Sequence, residues 1–183
     1  TVREVCWKSP SGKTVKINVT RMASFKILPL FLIEYRVEAV DFSGEVRIVS
    51  AHNGDVRNYF DPKDPRVAGE SFQHLYIESV VSFVTSVTSK SGLKVTSAVN
   101  NRLELFDKDG NDRIVNRSTT QSDSGVVEEF TAAMSEDETL VLYKYTILCD
   151  SIRCADVKEE AARRMQQALA MNVAELYHDQ ETY

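Results

Sequence analysis

No stretch of this sequence is apolar for long enough to cross a bilayer. The longest such run, Ile27 to Ile33 (ILPLFLI), is broken by Pro29 and falls far short of the ~20 residues a membrane helix needs. Nothing at its start has the pattern of a secretory signal. Cysteine is scarce: Cys6, Cys149 and Cys154 are odd in number and no two stand at CxxC spacing, which argues against a disulfide scaffold, a zinc knuckle and a dithiol redox motif. Reduced thiols in a soluble, cytoplasmic protein are the expectation. Positive charge is in deficit, with 22 Lys and Arg against 27 Asp and Glu and a net charge of -5. A net acidic surface is not attracted to nucleic acid or to an anionic membrane, leaving neutral ligands and other proteins as partners. Also absent are a glycine-rich phosphate loop, a nucleophile elbow and a Cys with an evident His partner.

What remains is ordinary material for a globular core: 183 residues, 43% apolar and 27% charged. From Val2 to about Asp150 the chain has the pattern of an all-β protein, with strands expected at Val2 to Trp7, Thr14 to Phe25, Leu30 to Phe42, Glu45 to Ala51, Leu75 to Thr88, Leu93 to Phe106, Ile114 to Ser122, Val126 to Met134 and Thr139 to Asp150. Turn chemistry separates them: SPSG, FSG, HNGD, SKSG, DKDGN, DSG and SEDE. Connections this short favour antiparallel neighbours joined by hairpins. Val15, Ile17 and Val19 alternate with Lys16, Asn18 and Thr20, so one face is wet. Strands of this length predict a large twisted sandwich rather than a small barrel.

The period changes after Cys154. Val157, Ala161, Met165, Leu169, Val173 and Leu176 recur at helical spacing, and Asp156 with Glu159 has the form of a capping box. No Gly or Pro closes the segment, so the pattern predicts one helix of nearly thirty residues. Residues 1–153 form the expected sandwich and 154–183 a helical linker. The absence of an initiator Met and the helical pattern running to Tyr183 suggest a piece of a longer chain.

Chemistry-bearing constellations are few. Asp107, Asp109 and Asn111 have the spacing of alternate oxygen ligands, but the glycine is fourth where a calcium loop needs it sixth, and Ser118 stands where a bidentate Glu belongs. A hairpin turn accounts for DKDGND better. His52, His74 and His178 are not at metal-ligand spacing, so no metal site is expected. His52 precedes Asn53-Gly54, a dipeptide that favours tight turns. Glu128 and Glu129 are adjacent and point to opposite faces of a strand, which makes solvated positions the expectation for both. Trp7 is alone, and Phe31, Tyr35, Phe83 and Tyr143 are spaced as core residues.

The order of motifs resembles the N-terminal domain of glycoside hydrolase family 65, which includes maltose, trehalose, kojibiose and nigerose phosphorylases. The resemblance runs over almost the whole chain. It rests on VREVCWKSPSGKTVKINVTRMASF with Arg21 and Ser24, and on Ile48, Ser50, Asn53, Gly54, Val56 and Asn58 of the following element; FDPKDPRV and TLVLYKYTILCDS come after. It implies a large antiparallel sandwich of the mutarotase-like supersandwich type, followed by a helical linker into an (α/α)6 barrel. The implied reaction is inverting phosphorolysis of an α-glucosidic bond, releasing β-glucose 1-phosphate. The catalytic Glu and the inorganic phosphate, a co-substrate, belong to that barrel. On this reading the present chain carries no catalytic, cofactor or metal residue, and Arg21, Ser24, Asn53, Gly54 and Asn58 are structural. Its partners are the barrel of the same polypeptide and further copies of itself, and the disaccharide is met only in the full enzyme. The segment Phe60 to Gln73 is long enough to reach a barrel active site or a second subunit. Two other functions compete: a carbohydrate-binding module, which needs an exposed row of aromatics, and an aldose mutarotase, for which His52 and His74 would supply the histidine pair.

Overall fold

The computed structural model describes residues 1–55, 63, 72–78, 82–107 and 113–183, the segment 72–78 by its backbone alone. Ten strands and two helices occur in the order β1 (Val2–Lys8), β2 (Thr14–Ala23), β3 (Leu30–Ala39), β4 (Gly44–Asn53), β5 (Phe72–Glu78), β6 (Ser82–Thr88), β7 (Lys94–Phe106), β8 (Asn116–Gln121), β9 (Gly125–Met134), β10 (Thr139–Asp150), α1 (Val157–Ala170) and α2 (Val173–Glu181). A seven-stranded sheet runs β1-β2-β3-β10-β7-β6-β5 and a three-stranded sheet runs β4-β9-β8. Every pairing is antiparallel. This is the expected antiparallel sandwich, with the smaller sheet on one face of the larger and the helices on the other.

Strand β10 shows why the layers assemble so. Its odd-numbered residues Val141, Tyr143, Tyr145, Ile147 and Cys149 pack with Ala161, Met165 and Ala168 of α1 and with Val173 and Leu176 of α2. Its even-numbered side lies against the smaller sheet, where Leu140 joins Ala39, Leu105, Ala132 and Met134. A period of two thus feeds one core on each side.

Four expectations are corrected. The run Leu75 to Thr88 holds two strands, β5 and β6, paired with each other, and it contains none of the Gly, Pro, Asn or Asp that ordinarily mark a turn. Several short connections are not hairpins: the links after β3, β7 and β9 pass from one sheet to the other, because a polar turn can change sheets as readily as reverse within one. The DKDGND turn itself lies outside the described residues beyond Asp107. At the SEDE link the buried carboxylate of Glu138 accepts two bonds from Arg113 Nη1, at 2.6 and 2.8 Å, and one from Ser135 N at 2.6 Å.

The single long helix is two. Asp156 caps α1 by accepting from Lys158 N and Glu159 N. At Asn172 the chain starts afresh with a reciprocal box: Asn172 Oδ1 accepts from Ala174 N at 2.9 Å, and Asn172 N donates to Glu175 Oε2 at 3.2 Å. The pattern Asn172-x-x-Glu175 is in the sequence and marks this break. The fourth correction concerns Phe31, which is exposed, whereas Phe83 and Tyr143 are buried and Tyr35 is half-buried.

Met165 sits fully buried where α1 meets β10. Met165→Ala should lower unfolding free energy by about 2–5 kcal/mol in urea titration, and Asn172→Ala by about 1 kcal/mol.

Candidate functional site

Along β4 the inward positions change character. Val46 and Ile48 pack against the apolar core, whereas the next two, Ser50 and His52, enter a polar seam between the sheets. Outward residues Glu45, Arg47, Val49 and Ala51 are exposed. Across the seam, β7 and β10 present Asn101 and Lys144, which are register partners. The smaller sheet contributes Glu128 on β9 and Arg117 on β8.

Glu128 is buried, which corrects the expectation that it is solvated. Its carboxylate accepts from Asn101 Nδ2 and from the Arg117 guanidinium, and Asn101 Oδ1 accepts from Ser50 Oγ at 3.1 Å. Glu129, its neighbour on the outer face, is paired with Arg47 at 2.8 Å and is part-exposed as expected. A lone buried carboxylate would cost several kcal/mol; here the partners offset it. No sequence pattern marks these partners, because Asn101, Arg117 and Ser50 come from three different strands.

His52 bridges two strands. Its Nδ1 lies 2.7 Å from Ser82 Oγ on β6 and its Nε2 lies 3.0 Å from Ser97 Oγ on β7. A neutral imidazole has one donor and one acceptor, so one hydroxyl donates and the other accepts. Burial pulls the His52 pKa down to about 4, and the Lys144 ammonium adds to the shift. Lys144 itself is held below the usual lysine range by burial, opposed by the Glu128 carboxylate, and it donates to the carbonyl of Ala51 at 2.8 Å. A cleft of about 270 Å³ opens beside His52, lined by Asn53, Gly54, Val84, Ser86, Val95 and Ser97.

Chemically this seam is quiet. A general base must hold a free lone pair near working pH, whereas His52 has both nitrogens engaged and a low pKa. The Ser82–His52 pair lacks the carboxylate that would orient and charge the imidazole in a nucleophilic triad. His74 stands opposite Ser86 in the β5–β6 register, and His178 lies on α2. Among the described residues no group of three His, Cys, Asp or Glu side chains could hold a metal, and no helix is long and apolar enough to cross a membrane.

The residues that carry the resemblance are placed as follows. Arg21 is exposed, and its backbone closes β2 onto the chain start, with Arg21 N donating to Thr1 O at 2.8 Å and the Thr1 amine to Arg21 O at 2.7 Å. Ser24 is buried and its Oγ accepts from Ile27 N at 2.9 Å. Asn53 Oδ1 accepts from Asp55 N, and Gly54 N donates to Ser124 O at 2.7 Å. The end of β4 is thereby seated on the β8–β9 turn. Asn58 and most of Phe60 to Gln73 lie outside the described residues. Arg21 and Ser24 are not brought together with the His52 seam in any contact described.

Two antiparallel sheets packed face to face and backed by two C-terminal helices define a β-sandwich domain. The Glycosyl hydrolase family 65, N-terminal domain model matches residues 1–183, and the chain belongs to that family. It is 31% identical over 159 residues to an α,α-trehalose phosphorylase of Geobacillus stearothermophilus, a match covering 84% of this chain and 20% of that protein. It is 30% identical over 92 residues to a kojibiose phosphorylase of Halothermothrix orenii, covering 48% and 12%. A solved structure described as a putative kojibiose phosphorylase from human microbiome superposes with a TM-score of 0.75 at 11% identity, over 99% of this chain and 22% of that one. The chain spans about a fifth of the length of these longer proteins.

Two outcomes test the seam. The His52 pKa is lowered on folding, so the unfolded chain binds the extra proton first; stability is full above about 6.5 and is lost as pH falls toward about 4. His52→Gln should flatten that loss in urea titrations between pH 7 and pH 4. Separately, a Cβ at Gly125 would lie 2.3 Å from the His52 carbonyl oxygen. Gly125→Ala should therefore cost about 2 kcal/mol or more, whereas Gly44→Ala has contacts no closer than 3.6 Å.

Proposed function

We propose that this chain is the non-catalytic N-terminal domain of a family 65 disaccharide phosphorylase, serving folding, docking and assembly of the full enzyme. Residues 1–153 are its accessory sandwich and 154–183 its helical linker toward an (α/α)6 barrel. The observation that carries this reading is that the convergent polar groups of the domain already have partners within it: His52 bonds to Ser82 and Ser97, Glu128 to Asn101 and Arg117, and Lys144 to the Ala51 carbonyl. In the full protein inorganic phosphate attacks an α-glucosidic carbon while a barrel Glu protonates the leaving oxygen, releasing β-glucose 1-phosphate. The disaccharide is of the α-glucosyl class to which trehalose and kojibiose belong.

The exposed aromatics of the sheet strands, Trp7 and Phe31, do not form the row that a carbohydrate-binding module needs. Trp7 and Phe31 share a sheet face, but their β2 partners Val15 and Ala23 are eight positions apart, about 26 Å along the strand, too far for one sugar to touch both. Assembly into a homo-oligomer through the open β1 edge, where Trp7 is 53% exposed, fits the tendency of such edges to pair.

The test is a phosphorolysis assay with trehalose, kojibiose and maltose, on the 183-residue chain and on the full-length protein. Glucose 1-phosphate from the full protein only is expected. Its release by the chain alone would overturn the reading.

A further inference from the structure

The sequence has no CxxC spacing, yet the fold brings two of its three cysteines together. Cys149 is the last helix-facing residue of β10 and is buried among side chains of α1 and α2. Cys154 follows in the turn before α1, part-exposed, and packs against the same cluster. The turn returns the chain over the end of β10: Cys154 N donates to Asp150 O at 3.2 Å, and Cys154 Sγ donates to the same carbonyl at 3.1 Å. The Asp150 carboxylate fixes it, accepting from Ile152 N at 3.0 Å, from Arg153 N at 3.1 Å and from the Arg153 guanidinium. The two thiols are hydrogen-bonded to each other. Since the Cys154 proton is committed to the carbonyl, that bond runs from the Cys149 S–H to Cys154 Sγ.

Both thiols rest protonated. Burial pushes Cys149 up to about 11, with Cys154, Glu160 of α1 and Asp150 acting in the same sense and Arg164 opposing. Burial raises Cys154 as well, helped by Glu160, Asp150 and Asp156. A protonated thiol is spared chance oxidation but still exchanges with a disulfide through its small thiolate fraction. Once one sulfur of the pair is engaged, its neighbour attacks from within contact, which is the arrangement that accelerates a second step most. Cys6 has no such neighbour in Cys149: β1 and β10 are three strand spacings apart in the sheet, roughly 14 Å, beyond the reach of a disulfide.

We propose that Cys149 and Cys154 form a reversible modification site for small-molecule disulfides, closing into an intramolecular bond that ties the end of β10 to the start of the helical layer. Cys154, the more accessible thiol, attacks one sulfur of a disulfide RS–SR as its thiolate; an S–S bond forms, the RS–SR bond breaks and RS⁻ leaves. Cys149 Sγ then attacks Cys154 Sγ and displaces the second RS⁻. The two cysteine protons end on the two departing thiolates, so the protein loses two electrons and the disulfide is reduced to two RSH. Cys6 stops at the mixed disulfide. The proposal concerns this chain's own thiols and does not depend on its role beside a barrel.

The experiment treats the reduced, folded full-length protein with excess 2-hydroxyethyl disulfide in mildly alkaline buffer, quenches with acid, blocks free thiols with N-ethylmaleimide and digests with trypsin. Cleavage after Lys144, Arg153 and Lys158 separates the two cysteines, so mass spectrometry reads the bond directly as peptides 145–153 and 154–158 joined. That joined species is expected from monomeric protein as the main product, reversed by dithiothreitol, with Cys6 carrying the hydroxyethylthio adduct. In Cys149→Ser the same adduct should accumulate on Cys154 to roughly ten times its level in the parent protein or more. Recovery of Cys154 in the parent protein mainly as that adduct, or blocked by the maleimide, would overturn the proposal. So would joined peptides found only in a covalently dimeric band on non-reducing electrophoresis, or only after unfolding in urea, since the folded turn is what brings the sulfurs together.

Discussion

Strand β10 is hydrogen-bonded along both edges, to β3 on one side and to β7 on the other, and each of its faces is covered by a different layer. Because side chains alternate, Tyr145 and Ile147 can be buried beneath α1 and α2 while Leu140 and Leu142 are buried beneath the smaller sheet. The helices are consequently not an appendage to a finished sandwich: Met165 and Leu176 complete a core whose other half is sheet, and stripping them away would expose much of the β10 face they cover.

The interior between the sheets is divided along the length of β4. Where Val46 and Ile48 face Leu103 and Leu105 the space is apolar; two residues later Ser50 and His52 face Asn101, Ser82 and Ser97. A polar seam of this kind adds little net stability, since the desolvation of Glu128 and Lys144 opposes their attraction. What it does supply is register. A slip of one residue would turn Ser50 and His52 to solvent and bring Val49 and Ala51 inward, taking from Asn101 its bond with Ser50 and from Ser82 and Ser97 their bonds with His52. The short-range fit of Gly125 against the His52 carbonyl acts in the same direction, because only that alignment leaves room for the backbones to approach.

Local pattern made much of this visible in advance. Alternation in β2 and β4, the turn residues of SPSG, SKSG and DSG, and the Asp156 cap are signals whose physics is confined to a few neighbours, and the elements stand where those signals place them. The errors share a cause. The split of Leu75 to Thr88, the crossings between sheets after β3, β7 and β9, and the burial of Glu128 are decided by which strands meet, a long-range matter that a run of residues does not record. The break at Asn172 is different, since its capping box is local; the uninterrupted apolar stripe from Val157 to Leu176 masked it, both helices burying the same side. The His52 seam was half legible: its histidine stood out, but Ser82, Ser97 and Lys144 carry no motif.

Of the residues through which the chain resembles its family, Arg21, Ser24, Asn53 and Gly54 make bonds that involve main-chain atoms. Ser24 folds the loop that grips α2, Arg21 ties the start of the chain to β2 through main-chain atoms, and Asn53 and Gly54 seat the end of β4 on the β8–β9 turn. None of these bonds positions a group for proton transfer or attack. A family motif made of such contacts describes how a surface is held in place, and the surfaces it holds are the two ends of the sandwich: the loop around Leu28 beside α2, and the cleft beside His52 at the end of β4. Both ends are held by short-range contacts that depend on the strand alignment, so a change at Ser24 or Gly54 is felt at a loop or a turn rather than in the apolar cores.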